Sequence, residues 1–151
     1  MIYISKILKI IVPALLASLG YSCIGWFAAE YGCPNATYKA KGIVVSDSDG
    51  SPIEGIRASL FRDTAYENYE EPYPIATAYT NSSGFFFLEG SEFPRLKLYL
   101  ELLDLDGELN GSFERMEIKA DYSIKTFTGG DGHWYEGEAT IDFETIKMLP
   151  E

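Results

Sequence analysis

The alternation of hydrophobic and polar positions changes once along this chain of 151 residues. Residues 10–21 form an apolar run without a charge, whereas from Thr37 onward short apolar stretches alternate with polar positions and turn residues. An unbroken run of about ten apolar residues is typical of an export leader. Alternation with a period of two residues predicts half-buried β-strands. The pattern therefore predicts an N-terminal leader followed by an all-β domain.

The all-β part divides into seven or so strands, separated by turns rich in Gly, Pro, Asn and Asp. The predicted strands cover residues 38–45, 56–61, 76–80, 85–88, 96–102, 116–122 and 139–148. Short strands separated at regular intervals by turn signals favour an immunoglobulin-like β-sandwich. The tight turn at residues 81–84 predicts that the strands on either side of it form a hairpin.

The N-terminal residues have the composition of a lipoprotein signal peptide. Lys6 and Lys9 precede the apolar run, which ends directly before Cys23. A basic segment, an apolar segment and a small-residue exit make up a secretory signal, and the cysteine at its end is a candidate for lipid attachment. An uncleaved N-terminal anchor and simple secretion are the alternatives. We expect a signal peptide, helical in character, over residues 1–22, a tether over 23–36 and the sandwich over 37–151.

The net negative charge of the chain limits the kinds of molecule that it is expected to bind. The sequence has 12 basic and 23 acidic residues, and removal of Lys6 and Lys9 with the leader leaves 10 against 23, a net charge of −13. Phosphate backbones are bound by Lys and Arg, so this excess of acidic residues argues against nucleic acid, and we expect no nucleic-acid partner. Adsorption to anionic lipid headgroups is disfavoured for the same reason. Attachment to a membrane therefore requires the covalent lipid at Cys23.

The chain has two cysteines, Cys23 and Cys33, with nine residues between them. In an exported protein such a pair is commonly a disulfide. Acylation of Cys23 competes with that pairing and leaves Cys33 as a lone thiol in an oxidising compartment. We favour acylation because the apolar run stops where a lipoprotein signal requires it. A lone Cys33 is then a candidate for modification.

Two stretches resemble the signatures of carboxypeptidase-regulatory-like domains. The first is Gly42-Ile43-Val44-Val45-Ser46-Asp47, followed by Gly50-Ser51-Pro52-Ile53-Glu54-Gly55-Ile56. The second is Ala78-Tyr79-Thr80-Asn81-Ser82-Ser83-Gly84-Phe85-Phe86-Phe87. This resemblance implies a prealbumin-type sandwich.

Three further blocks resemble the radical SAM-associated lipoproteins of Bacteroides-type bacteria. They lie at residues 31–42, 104–111 and 130–137, in the same order as in that family. The resemblance implies a small, non-catalytic domain anchored in the cell envelope, in the outer membrane or on the periplasmic face. Genes of the family tend to lie near a radical SAM protein, so a radical SAM enzyme is an implied partner. We therefore expect a binding or accessory module, or alternatively a substrate or scaffold of a radical SAM maturation system.

One loop has the composition of a cation site. Asp104, Asp106, Glu108 and Asn110 place oxygen atoms at alternate positions around Gly107. Calcium takes six to eight oxygen ligands, but this spacing does not match an EF-hand. The alternative is a loop in which Asp and Asn side chains cap backbone amides. A calcium-stabilised adhesion domain is thus a third hypothesis, no other cofactor is expected, and Asp47 and Asp49 offer the same chemistry in an earlier turn.

Two aromatic segments are candidates for binding an envelope protein or a glycan. His133, Trp134 and Tyr135 lie in a Gly-rich loop, where rings can stack on a sugar or grip a peptide. The alternative is that these rings fold back and cap one end of the sandwich. Tyr66, Tyr69 and Tyr73 lie in an acidic segment and combine contact area with a polar tip. The alternative for this segment is a disordered surface loop.

The sequence has few features that would indicate an enzyme. His133 is the one histidine of the chain. General acid–base or nucleophilic catalysis needs a partner and a nucleophile within hydrogen-bond reach, and the spacing around His133 supplies neither. We therefore expect a protein that is not an enzyme.

Overall fold

A computed structural model describes residues 32–63 and 73–151 of the chain. The signal peptide, Cys23, Tyr66 and Tyr69 lie outside the described residues. Within the described ranges a compact unit extends over Cys33–Glu151. In this part of the chain no helix has the length and apolar character needed to cross a membrane.

The domain is built from two four-stranded sheets. The first sheet has the order β4-β1-β8-β7 and the second the order β3-β2-β5-β6. The strands are β1 (Asn35–Ser46), β2 (Arg57–Arg62), β3 (Ala76–Tyr79), β4 (Phe85–Glu92), β5 (Lys97–Leu103), β6 (Met116–Asp121), β7 (Thr128–Gly129) and β8 (Tyr135–Met148). One turn of 3-10 helix, Gly107–Leu109, follows β5. The prediction of an all-β sandwich is confirmed.

The two longest strands, β1 and β8, lie side by side and run parallel at the centre of the first sheet. On β1, alternate residues from Ala36 to Ser46 point inward and are buried. This alternation follows from the pleat of a strand and places one face of the sheet against the core. The core lies between the sheets; its largest members are Tyr38, Tyr122, Phe86, Ile56, Leu60, Leu88, Leu98, Leu100, Leu102 and Met148.

The observed bounds differ from the predicted ones at β1, β4, β7 and β8. Strand β4 continues to Glu92 instead of residue 88, and β8 begins at Tyr135 instead of residue 139. Strand β1 begins at Asn35, within the predicted tether, and its second residue, Ala36, is fully buried. Strand β7 has only two residues and pairs with the start of β8. Two residues are too few to produce a recognisable alternation, which is why the sequence pattern does not reveal β7.

The predicted hairpin across residues 81–84 is wrong. Strand β3 pairs with β2 in the second sheet, whereas β4 pairs with β1 in the first sheet. The turn between them carries the chain from one sheet to the other. Its local bonds still suit a tight turn: the Asn81 side-chain oxygen accepts from the amides of Ser83 at 3.0 Å and Phe85 at 3.1 Å. The same turn chemistry therefore serves a corner as well as a hairpin.

Candidate functional site: the two ends of the sandwich

The strand directions divide the candidate residues between two ends of the domain. We call the end at which β1 begins the proximal end, and the end at which β1 finishes the distal end. Because β1 and β8 are parallel, the start of β8 also lies at the proximal end. The amide of Asn35 donates to the carbonyl of Trp134 at 2.8 Å. The predicted aromatic tip therefore lies beside the point at which the chain enters the domain.

The tip at residues 130–135 is a tight turn organised by one carboxylate. The Asp131 side-chain oxygen accepts from the amides of His133 at 2.8 Å and Tyr135 at 3.1 Å. These hydrogen bonds, led by the one from His133, lower the pKa of Asp131. Gly130 is required here, since a Cβ on it would lie 2.6 Å from the Glu136 carbonyl oxygen. The turn thus holds its aromatic residues in a defined position.

The three tip residues differ in how far they reach into solvent. His133 is exposed, and the Trp134 ring keeps 38% of its surface exposed. Tyr135 is half-buried, and its hydroxyl lies 3.1 Å from the Thr37 hydroxyl on β1. One ring of the tip therefore folds back and two groups face solvent. Tyr135 lies against the sheet, whereas His133 and part of Trp134 are exposed.

Tyr73, the described member of the acidic tyrosine segment, belongs to the same end. It precedes Ile75, whose amide donates to the Leu60 carbonyl at 2.7 Å near the end of β2. The Tyr73 side chain is 89% exposed. The two predicted aromatic surfaces, separated by some sixty positions in the sequence, therefore converge on the proximal end.

Two further apolar side chains at the proximal end were not anticipated from the sequence. Phe93 follows β4, and its carbonyl accepts from the Tyr38 hydroxyl; its ring is 48% exposed. Ile124 lies in the turn after β6, where the amide of Lys125 donates to the Tyr122 carbonyl, and it is 80% exposed. Each lies in a turn between strands, a position at which periodicity carries no information on burial.

The oxygen-rich loop lies at the distal end and is held by its own hydrogen bonds. Asp104 accepts from the amide of Asp106 at 3.2 Å and from that of Phe113 at 3.1 Å. The Asn110 side chain donates to Asp106 at 2.8 Å. This pair packs on Gly55, where a Cβ would lie 2.6 Å from an Asp106 oxygen. The loop thus has the backbone-capping geometry that was the alternative to a metal site.

The calcium site in this loop stays a prediction. Burial and the neighbouring Asp106 carboxyl raise the pKa of Asp104. Among the described residues no group of three or more His, Cys, Asp or Glu side chains is placed to hold a metal ion. The side chain of Glu108 lies outside the description. In the earlier turn, Asp49 accepts from the Ser51 amide and hydroxyl, and Asp47 pairs with Lys147 at 3.2 Å.

A charged network on the outer face of the second sheet was also missed. Glu101 on β5 is only 7% exposed, and its oxygens lie 3.0 Å from Arg57 and 2.6 Å from Arg115. Arg115 also contacts Glu117, which lies directly opposite Glu101 on β6. The one signal in the sequence is a glutamate within the apolar strand 96–102, at a position that the alternation places outward.

Comparisons with known proteins do not identify a family for this chain. No protein-family model matches the chain, and no curated protein matches it either. Among solved structures, the C-terminal domain of the shaft pilin spaA from Lactobacillus rhamnosus GG is 10% identical, with 76% of this chain and 98% of that domain covered and a TM-score of 0.43. The major pilin subunit BcpA of Bacillus cereus is 9% identical, with 71% and 29% covered and a TM-score of 0.37.

A third similar structure belongs to a much larger protein. It is a 9R-lipoxygenase from Cyanothece PCC8801, 16% identical, with 74% of this chain covered and a TM-score of 0.40. The chain spans only 16% of the lipoxygenase and 29% of the Bacillus pilin subunit.

Proposed function

We propose that the protein is a lipid-anchored, non-catalytic binding or accessory module of the cell envelope, attached through Cys23. The observation that carries the proposal is the convergence of Tyr73, Phe93 and Trp134 on the proximal end, where the chain enters the domain. Aromatic side chains that keep part of their surface exposed are typical of binding surfaces. The described domain begins at Cys33, ten positions after the proposed anchor. The exposed aromatic surface therefore lies at the anchored end.

The absence of catalysis is part of the proposal. Two open grooves of about 300 Å³ lie on the described surface. One is lined by residues of β1, β4 and β8 and the other by residues around Tyr99, and no serine, cysteine or histidine lines either of them. His133 lies in an exposed turn and lines neither groove. A general base without a nucleophile or a partner in a cleft is a poor basis for an active site.

The anchor is tested by metabolic labelling with palmitate. We expect the wild type and Cys33→Ala to incorporate label and to fractionate with the membrane, and Cys23→Ala to do neither. The Cys33→Ala variant is the matched control because it removes the other cysteine and leaves the leader intact. Equal labelling of all three proteins, or label that depends on Cys33, would overturn the anchoring.

One observation favours a second candidate function, as substrate or scaffold of a radical SAM maturation system. Cys33 is exposed at the first residues of the described domain. An exposed thiol outside the core is accessible to a modifying enzyme without unfolding the sandwich. Intact mass of the mature native protein separates the two functions. A mass that equals acylated sequence alone excludes modification, and a further shift that disappears in Cys33→Ala establishes it.

A further inference from the structure

We propose that the proximal end is a membrane-contact face, on which Phe93, Ile124 and Trp134 rest in the interfacial layer of the bilayer. The inference rests on the proposed lipid anchor and names the partner of the same surface. Three observations support it: the apolar side chains come from three separate turns, the chain between Cys23 and the domain is short, and a lysine lies next to Ile124.

The three side chains come from three separate turns. Phe93 follows β4, Ile124 follows β6 and Trp134 precedes β8. The pairing places all three turns at one end: Glu92 lies opposite Ala36, Asp121 lies opposite Lys97 at the start of β5, and the Trp134 carbonyl is bonded to Asn35. Exposed apolar groups of this kind are typical of interaction surfaces. Leu105, Leu109 and Leu149 are exposed at the distal end as well, so the proximal end is distinguished by its position next to the chain that leads to Cys23.

The short length of chain between Cys23 and the domain favours the bilayer as the partner of the proximal end. Cys33 lies ten positions after Cys23, so the start of the domain stays within about 35 Å of an acylated cysteine even when the chain is fully extended. Strand β1 has 12 residues and is about 40 Å long. An acylated Cys23 therefore holds the proximal end within reach of the bilayer, whereas it allows the distal end to lie up to one length of β1 further away.

The chemistry of the proximal side chains suits a lipid interface. Tryptophan and tyrosine are enriched at the level of lipid headgroups, where one part of the ring is apolar and the other polar. Lys125 follows Ile124 directly, and its long stem can lie along apolar lipid while the ammonium stays in water. The net charge of −13 opposes anionic lipid, so the contact relies on apolar burial and a zwitterionic surface.

The distal end provides a matched control. Leu109, in the 3-10 turn after β5, is 82% exposed, nearly the same as Ile124 at 80%. Replacement of either residue by serine removes a similar apolar surface, but at opposite ends of the sandwich. A contact at the proximal end predicts that only the change at Ile124 matters.

The experiment uses the full-length protein purified from membranes and reconstituted in zwitterionic vesicles that contain brominated lipid. Trp26→Phe makes Trp134 the single tryptophan, and bromine quenches its emission only at contact distance. We expect strong quenching in this background and with Leu109→Ser, and at least a twofold loss of quenching with Ile124→Ser or Phe93→Ser. Circular dichroism verifies that each variant is folded.

The outcomes separate the two proposals. Acylated protein with no quenching, or with equal quenching in Ile124→Ser and Leu109→Ser, overturns the membrane contact and leaves the anchor intact. Absence of the acyl chain in the intact mass overturns the anchor and the contact together. Trp134 emission that responds to an envelope glycan or peptide but not to brominated lipid assigns the proximal end to that partner, and this also overturns the membrane contact.

Discussion

The rings of Tyr38 and Tyr122 meet edge to face in the core, with centroids 4.9 Å apart and planes at 88°. Both side chains are fully buried and come from opposite sheets, since Tyr38 lies on β1 and Tyr122 directly follows β6. The Tyr122 hydroxyl donates to the Lys39 carbonyl at 2.6 Å. The Tyr38 hydroxyl donates to the Phe93 carbonyl and accepts from the Leu96 amide. This pair joins the two sheets at the proximal end and supports the turns that carry its apolar residues.

Loss of the Tyr122 hydroxyl should destabilise the fold. In Tyr122→Phe the ring contact with Tyr38 is kept, but the Lys39 carbonyl loses a partner, at a cost of about 1–2 kcal/mol. Tyr122→Ala also creates a cavity, and we expect a cost of about 3–5 kcal/mol. Urea unfolding measures both values. Equal stability of wild type and Tyr122→Phe would show that this hydrogen bond contributes nothing net.

The pH dependence of the same variant has a defined sign. Burial raises the pKa of Tyr122 above the ordinary 10.0. A raised pKa in the folded state gives stability that is complete below about pH 10 and is lost as the pH rises toward the folded value. The free energy of unfolding should therefore fall in alkali, and less steeply in Tyr122→Phe than in the wild type. Tyr38, whose pKa burial also raises, accounts for part of the remaining slope.

Gly84 and Gly50 form a matched pair of turn glycines. Their φ angles are +72° and +74°, so alanine carries similar backbone strain at both positions, about 1–2 kcal/mol. A Cβ on Gly84 would lie 2.3 Å from the Val44 carbonyl oxygen, whereas nothing lies within 4 Å of one on Gly50. We expect Gly50→Ala to fold with a small loss in thermal midpoint and Gly84→Ala to be much less stable. Similar midpoints for the two variants would mean that the turn shifts away from Val44 at little cost.

The pattern of the sequence predicts the strands better than it predicts their partners. Inward positions such as Tyr38 and Phe86 alternate with outward ones, and this is enough to locate strands and to predict a sandwich. The sheet to which β3 and β4 each belong depends on pairing with β2, the preceding strand, and with β1, which lies much farther away in sequence. The turn at Asn81 satisfies the same local bonds in either arrangement, so the hairpin prediction had no local signal against it.

For the candidate site, too, the sequence indicates individual residues but not their arrangement. Tyr73 and Trp134 can be recognised as exposed aromatic residues from their Gly-rich or acidic surroundings. Their convergence on one end cannot be recognised in this way, because it follows from strand pairing: β1 and β8 are parallel, and the start of β3 lies beside the end of β2. The Asp104 loop illustrates the reverse problem. Its residue types suit both a cation site and a self-capped turn, and only the bonds to Phe113 and Asn110 distinguish the geometry that forms.

Replacement of Glu101, the buried residue of the charged network, should lower the free energy of unfolding. Glu101 is 7% exposed and is bonded to Arg57 and Arg115, so Glu101→Gln removes a charge that both arginines share. Hydrogen bonds to charged groups contribute about 1.5–3 kcal/mol, and we expect a loss within this range. Glu117, 53% exposed and directly opposite on β6, is the control: Glu117→Gln should cost less than about 1 kcal/mol. Equal losses in urea unfolding would contradict the distinction.

The distal loop should keep its fold without a cation. Asp104 already accepts from two backbone amides, and Asp106 accepts from Asn110, so the oxygens have partners within the chain. We expect neither a chelator nor added calcium to move the thermal midpoint of the wild type. A rise with calcium that disappears in Asp106→Asn would instead establish the calcium site, because a cation would offset the burial and the neighbouring Asp106 carboxyl that raise the pKa of Asp104.

The proximal tip should loosen in acid through Asp131. Hydrogen bonds from the His133 and Tyr135 amides lower the pKa of Asp131 below the ordinary 3.8. A lowered pKa in the folded state gives stability that is present above the ordinary value and is lost as the pH falls through the folded one. In the Trp26→Phe background, Trp134 emission should shift toward that of exposed tryptophan as the pH falls below about 4. Asp131→Ala should show that emission already at neutral pH, whereas Asp131→Asn, which keeps the accepting oxygen, should resemble the wild type at neutral pH and lose the acid shift. An acid shift of equal size in Asp131→Asn would assign the change to another carboxyl group.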